Sequence, residues 1–154
     1  MENSRDKLIE AAINLGESIG LNRAVCQIYA LLYLSEKPLS PTEIGRILEM
    51  SKGNVSINLK TLEQWNAVRK VWRKGYSRAL YAANENIEEI ILNKLKTGLE
   101  KRISYARPLI NEAKGKEKSK DDNFLKKLDR IEKLISKIEF FLDNFETIKS
   151  ITSS

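Results

Sequence analysis

Two helix-start signals eleven residues apart constrain this chain more than any other feature. Ser40-Pro41-Thr42-Glu43 sets a capping serine, a proline at the first helical position and a glutamate three residues after the cap. After a tight turn through Glu49-Met50, Ser51 caps a second segment. The spacing predicts a short helix with Ile44, Ile47 and Leu48 facing inward, then one over about 52–65 with the inward stripe Val55, Leu59 and Leu62. Two short helices held from one apolar side leave the opposite side of the second free.

The flanking segments extend this pattern. Val68 to Arg73 and Arg78 to Ala83 have strand character and flank Lys74-Gly75-Tyr76-Ser77, a hairpin tip. Upstream, Leu8, Ala12, Leu15 and Ile19 mark an amphipathic helix over 4–19, ended by Gly20. Asn22 caps a second helix to about Ser35, with Val25, Ile28, Tyr29, Leu32 and Tyr33 apolar and Lys37-Pro38 closing it. Downstream, residues 86–113 read as a helix that Pro108 kinks or ends early, and 114–122 as an exposed connection. A last helix is expected over 123–149. Its seam, Phe124, Leu128, Ile131, Ile135, Ile138, Leu142 and Phe145, alternates spacings of four and three, and a frayed end follows at Thr152-Ser153-Ser154. The fold class is mainly α with a small β-hairpin: a winged helix-turn-helix plus a helical dimerisation region. The expected divisions are an N-terminal helix (1–20), the winged helix (21–85) and the C-terminal helices (86–154).

The charge is concentrated in one place. The chain has 27 Lys+Arg and 21 Asp+Glu, a net +6. Residues 50–83 hold Lys52, Lys60, Arg69, Lys70, Arg73, Lys74 and Arg78 against Glu63 alone, so the rest of the chain is neutral. Such a segment is the footprint of a phosphate-backbone binder, or else a solvated basic face. Histidine is absent and there is one cysteine, which counts against zinc hydrolases, Ser–His or Cys–His catalysis and disulfide-stapled secreted scaffolds. With no glycine-rich phosphate loop either, no enzymatic activity, metal or cofactor is expected. Cys26, mid-helix among apolar residues, reads as buried filler. No apolar run approaches the roughly 20 residues of a membrane span. MENSRDKLIE has no apolar signal region, so a cytoplasmic protein without membrane contact is expected.

On the free face of the second helix lie Gly53, Ser56, Ile57, Lys60 and Thr61, with Asn54 at the margin. Ser51, Lys52 and Asn54 stand at its N-terminus, where backbone N–H groups and the dipole favour phosphate. Ile57 either touches a thymine methyl or packs against the hairpin or a neighbouring helix. Arg69, Lys70, Arg73, Lys74 and Arg78 give the hairpin cations for backbone or minor-groove contact. These residues point to double-stranded DNA.

The runs SKGNVSINLKTLE (51–63) and VRKVWRKGYSRALYAA (68–83) resemble the GbsR branch of the MarR-type transcriptional regulators. The similarity extends upstream through LNRAVCQIYALLYLSEKPLSPTEI (21–44). It implies a homodimeric winged-helix regulator that reads DNA with residues 52–64, carries its wing tip near Lys74 to Arg78 and dimerises through its terminal helices. One departure is Asn66, where the family usually ends its recognition helix with glycine; asparagine tolerates that left-handed conformation. Trp65 beside it has no evident packing partner. For the dimer, Leu8 and Leu15 at the N-terminus join Leu128, Ile131, Ile135, Ile138, Leu142 and Phe145, although the C-terminal seam can also pack within the monomer.

A two-fold dimer would present two recognition helices about 34–36 Å apart to a pseudo-palindromic operator. Relatives in this branch are associated with quaternary-ammonium effectors, which aromatic cages suit. Tyr29, Tyr33, Trp65, Trp72, Tyr76 and Tyr81 are available if they converge, with core or wing packing the competing role. Two other classes share the fold: an architectural DNA-coating protein, and a winged helix that contacts transcription machinery instead of DNA.

Overall fold

The computed structural model describes residues 3–116 and 121–152, in two compact units, Met1–Ile91 and Leu92–Ser154. The first unit contains α1 (Ser4–Ser18), α2 (Arg23–Leu34), α3 (Pro41–Leu48), α4 (Lys52–Gln64), β1 (Val68–Val71) and β2 (Leu80–Ala83). Each expected cap forms. The Asn22 side chain accepts from the Val25 N–H at 2.9 Å, and the Ser51 hydroxyl from Asn54 N–H at 3.2 Å. Ser40 and Glu43 complete a capping box, with the Glu43 N–H donating to Ser40 Oγ at 3.1 Å and the Ser40 N–H to Glu43 Oε2 at 2.8 Å.

The α3–α4 turn depends on two backbone features. Glu49 sits in the left-handed region at φ 54°, and the Met50 N–H returns to the Gly45 carbonyl at 2.8 Å. A Cβ on Gly45 would stand only 3.0 Å from the Met50 carbonyl oxygen, so a side chain there would push the turn open. Asn66 ends α4 in the left-handed conformation expected of it, at φ 55°. Its N–H bonds the Glu63 carbonyl and that of Ala67 bonds Leu62, a Schellman closure without glycine. Trp65 is half-buried and packs against the core, which supplies the partner its sequence context lacks.

That core joins Val25, Ile28, Leu31 and Leu32 of α2 to Ile44 of α3, Val55, Leu59 and Leu62 of α4, and Val68 of β1. β1 and β2 pair antiparallel, from Val68 opposite Ala83 to Val71 opposite Leu80. Leu39 and Tyr81 exchange both backbone hydrogen bonds, at 2.9 and 2.8 Å, tying β2 to the segment before α3. The strands are two residues shorter at the hairpin end than the sequence suggests. Ile47, expected inward, is 49% exposed: on an eight-residue helix Ile44 already fills the core position.

α5 (Ile87–Lys116) does not end at Pro108. Proline removes one backbone donor, which leaves the Ser104 carbonyl without its helical partner, but Pro108 lies on an exposed face where water can satisfy that group. Of the connection expected over 114–122, Lys114–Lys116 therefore belong to α5, Asp121 caps the next helix and Asp122 opens it, and 117–120 lie outside the described residues. The C-terminal half of α5 is tied to α6 (Asp122–Asp143) by Arg107, which donates to Glu139 through Nε at 2.8 Å and Nη2 at 2.5 Å, and by a Lys114–Glu132 ion pair. This pairing order sets the two helices antiparallel. The last helix is also not continuous. It breaks at Asn144, whose side-chain amide donates to the Phe140 carbonyl at 2.8 Å in competition with the backbone, and α7 (Phe145–Thr152) follows. Of the expected frayed end, Thr152 is the last residue of α7 and Ser153-Ser154 lie outside the described residues.

Candidate nucleic-acid interface

α4 is held from one side. Val55, Leu59 and Leu62 are buried, as their spacing predicts, and Ser51, Lys52, Gly53, Asn54, Ser56, Ile57 and Lys60 are exposed. Ile57 is 69% exposed, which leaves an apolar group on an otherwise polar face. A Cβ on Gly53 would meet nothing within 4 Å, so the face is flat and open there.

The cations of the hairpin and α4 share this accessibility. Lys52, Lys60, Arg69, Lys70, Arg73, Lys74 and Arg78 are all exposed. The segment's one acid, Glu63, reaches Lys70 at 3.8 Å and lies close enough to the Tyr81 hydroxyl to influence its ionisation. Burial first, and then that carboxylate, push the Tyr81 hydroxyl above the usual tyrosine value. Among the described residues the other six cations form no ion pair.

Sequence reasoning missed Asn58. It is 6% exposed, and its amide donates to both the backbone carbonyl and the side-chain oxygen of Asn54, each at 2.7 Å. The available signal was its position, three residues after Val55 and four before Leu62, a polar side chain on the apolar stripe.

The aromatic residues do not form one cluster. Tyr29 and Tyr33 stack with centroids 6.0 Å apart and planes at 28°, and the Tyr29 hydroxyl donates to the Asn84 carbonyl at 2.7 Å. Trp72 and Tyr76 stand out on the hairpin, 68% and 59% exposed, while Trp65 and Tyr81 pack against the core. Cys26 is buried against α1, and burial raises its thiol above the usual range.

The hydrophobic residues expected at a dimer contact divide into two sets. Leu8 and Leu15 of α1 are exposed, because α1 buries Ile13 and Gly16 instead. In the second unit Leu128 and Ile135 are buried within the chain, Ile138, Leu142 and Phe145 are half-buried, and Ile131 is 49% exposed. Leu134, Phe140 and Phe141, off the heptad seam, are more exposed than the seam itself.

Comparison with known proteins agrees with this architecture. Residues 19–72, from just before α2 through β1, match the model of the MarR family. The chain is 24% identical over 113 residues to the HTH-type transcriptional repressor GbsR of Bacillus subtilis, spanning 73% of this chain and 62% of that protein. It is 23% identical over 93 residues to the HTH-type transcriptional repressor OpcR of the same organism, 60% of this chain and 50% of the relative. The match thus spans between half and two thirds of the length of these curated relatives. A crystal structure of a transcriptional regulator superposes with a TM-score of 0.70 over 96% of this chain and 99% of its own, at 15% identity, which shows a shared fold. The chain thus has a winged helix-turn-helix fold, and over residues 19–72 it is similar to the MarR family.

Proposed function

We propose that this chain is a sequence-specific, DNA-binding transcriptional regulator that acts as a homodimer in the cytoplasm. The observation that carries the reading is the coincidence, in a winged helix, of a polar, exposed α4 face with six exposed cations that form no ion pair among the described residues. α4 fits the major groove, with Ser51, Lys52, Gly53, Asn54, Ser56, Ile57 and Lys60 toward the DNA, and the hairpin lays Arg69, Arg73, Lys74 and Arg78 along the phosphates or into the minor groove. Names of relatives support the regulatory role: both are transcriptional repressors.

Residues 21–85 carry the DNA contacts in this reading, and α1 and the C-terminal helices carry dimerisation. Exposed Leu8 and Leu15, and separately exposed Ile131, Leu134, Phe140 and Phe141, are apolar surface of the kind a second subunit covers. The aromatic residues give little support to a quaternary-ammonium effector, since Tyr29 and Tyr33 spend facing surfaces on each other and Trp72 and Tyr76 are on the hairpin. The short polar face of α4 favours a sequence reader over a DNA-coating protein, which would rely on charge alone.

Selection of bound DNA from a random pool tests the proposal. A recovered pseudo-palindrome, bound by a species of twice the 17.6 kDa chain mass in light scattering, is the expected result. Binding without any recovered preference would favour the coating reading, and negligible binding at low salt a protein-contacting module.

A further inference from the structure

We infer that Asn54 is a specificity-determining residue that reads guanine, and that the buried Asn58 is the positioning residue that dictates this choice. The inference rests on the DNA-reading role proposed above. A free asparagine is ambiguous toward DNA: with its oxygen and nitrogen both available it pairs bidentately with adenine, accepting from N6 and donating to N7. Here the ambiguity is removed from behind. The backbone carbonyl of Asn54 can only accept, so the Asn58 group 2.7 Å from it is the amide NH2. The Asn54 side-chain atom that faces the same NH2, also at 2.7 Å, must then be the carbonyl oxygen.

Asn54 Oδ1 is therefore turned toward the helix, and its Nδ2, with two hydrogens, is the group left for the groove. Asn58 cannot swing away to release it, because its side chain is buried at 6% exposure. The backbone of Asn54 is fixed as well, by the Ser51 hydroxyl that accepts its N–H at 3.2 Å. A fixed pair of donors fits an edge that offers only acceptors. Guanine presents O6 and N7 in the major groove, whereas adenine places its N6 donor against the outward NH2 and cytosine presents N4–H2.

The test is random-pool selection with the full-length protein and three variants. Asn54→Ala identifies the operator position that depends on this side chain, as the one whose preference disappears. In the wild type that position is expected to be guanine, favoured over adenine by about tenfold. Asn58→Leu keeps the volume and burial but frees the amide. It should bring guanine and adenine to within about twofold there while affinity for random DNA is unchanged, a response that a merely structural role for Asn58 would not give. Asn54→Asp, whose oxygens both accept, decides the matter if Asn58→Leu fails to fold: the preference should move to cytosine. Adenine at the Asn54-dependent position, or no position that depends on Asn54 in a selected operator, overturns the inference. A wild-type protein that selects no sequence overturns the DNA-reading role beneath it.

Discussion

The crossing of α1 and α2 allows a prediction whose sign reverses with one background substitution. Gly16 lies buried in α1, and a Cβ built on it would fall deep inside the contact radius of Cys26 Sγ on α2. The next nearest atoms, Cys26 Cβ and Leu21 Cδ1, are at 3.6 Å, ordinary van der Waals contact. Alanine in a helix is better than glycine by at most about 1 kcal/mol, and less toward a helix end. Against that, an atom forced into a packed site costs about 1–3 kcal/mol, and Cys26 is buried at 7% exposure. Gly16→Ala should therefore destabilise the protein by about 1–2 kcal/mol. With the sulfur removed, in a Cys26→Ala background, the same substitution meets only the 3.6 Å neighbours and should stabilise by about 0.5 kcal/mol. The four proteins form a double-mutant cycle with a coupling of about 2 kcal/mol, measurable by urea unfolding followed by far-UV circular dichroism. One protein concentration must be used throughout, because the proposed subunit association would shift apparent stability. A neutral or stabilising Gly16→Ala in the presence of Cys26, or a coupling under about 0.5 kcal/mol, would refute the reasoning.

Other expectations concern DNA, ligand and pH. Lys60→Ala should weaken operator binding more than binding to random DNA. Arg78→Ala should weaken both and reduce the salt slope by about one unit, and equal losses for the two variants on both DNAs would remove the division of labour between α4 and the hairpin. Choline or glycine betaine, titrated into the DNA complex, should leave affinity within about twofold, given the stacked Tyr29–Tyr33 pair; a tenfold change would show a cage that this arrangement does not contain. Hydrogen bonds from the Ser40 backbone, chiefly, hold the Glu43 carboxyl below its usual value. Its contribution is therefore present above the unfolded carboxyl range and lost as pH falls through the lower folded value. Glu43→Gln should flatten that acid limb in pH-dependent unfolding, and an unchanged limb would deny the capping box an ionic component. Burial, followed by Tyr33 and Glu85, pushes the Tyr29 hydroxyl up to about 12 from 10.0. Because the folded state keeps its proton longer, this stability is complete below pH 10 and declines as pH rises toward 12. Tyr29→Phe should lose about 1 kcal/mol at neutral pH, with the hydrogen bond to Asn84, and show a shallower alkaline decline.

Helix starts were the most legible part of the fold. Asn22, Ser40 and Ser51 each satisfy an N–H within three residues, so the information is local and survives any tertiary arrangement. The stripe Val55, Leu59 and Leu62 was readable for a similar reason, since helical periodicity alone puts those side chains on one face. Helix ends were less so. Pro108 looks like a terminator, but whether the orphaned carbonyl is tolerated depends on its access to water. Asn144 looks like an ordinary helix residue until its amide captures the Phe140 carbonyl. Ile47 and Asn58 err in opposite directions: an isoleucine left outside because Ile44 fills the core, and an asparagine taken inside because Asn54 supplies two acceptors.

The amino-acid sequence by itself determined where helices begin, which face of α4 is apolar, and that the whole net charge of +6 lies between residues 50 and 83. Those properties need only neighbours within a turn or two of helix, or no neighbours at all. Tertiary structure alone decided that Gly16 lets α1 approach Cys26 and that Leu128 and Ile135 are buried while Leu134 and Phe140 are not. It also decided that the one acid of the basic segment is engaged with Lys70, which leaves six cations free of ion pairs among the described residues. Burial and pairing are properties of atoms brought together from distant positions, and a linear pattern records which groups are available without recording which of them meet.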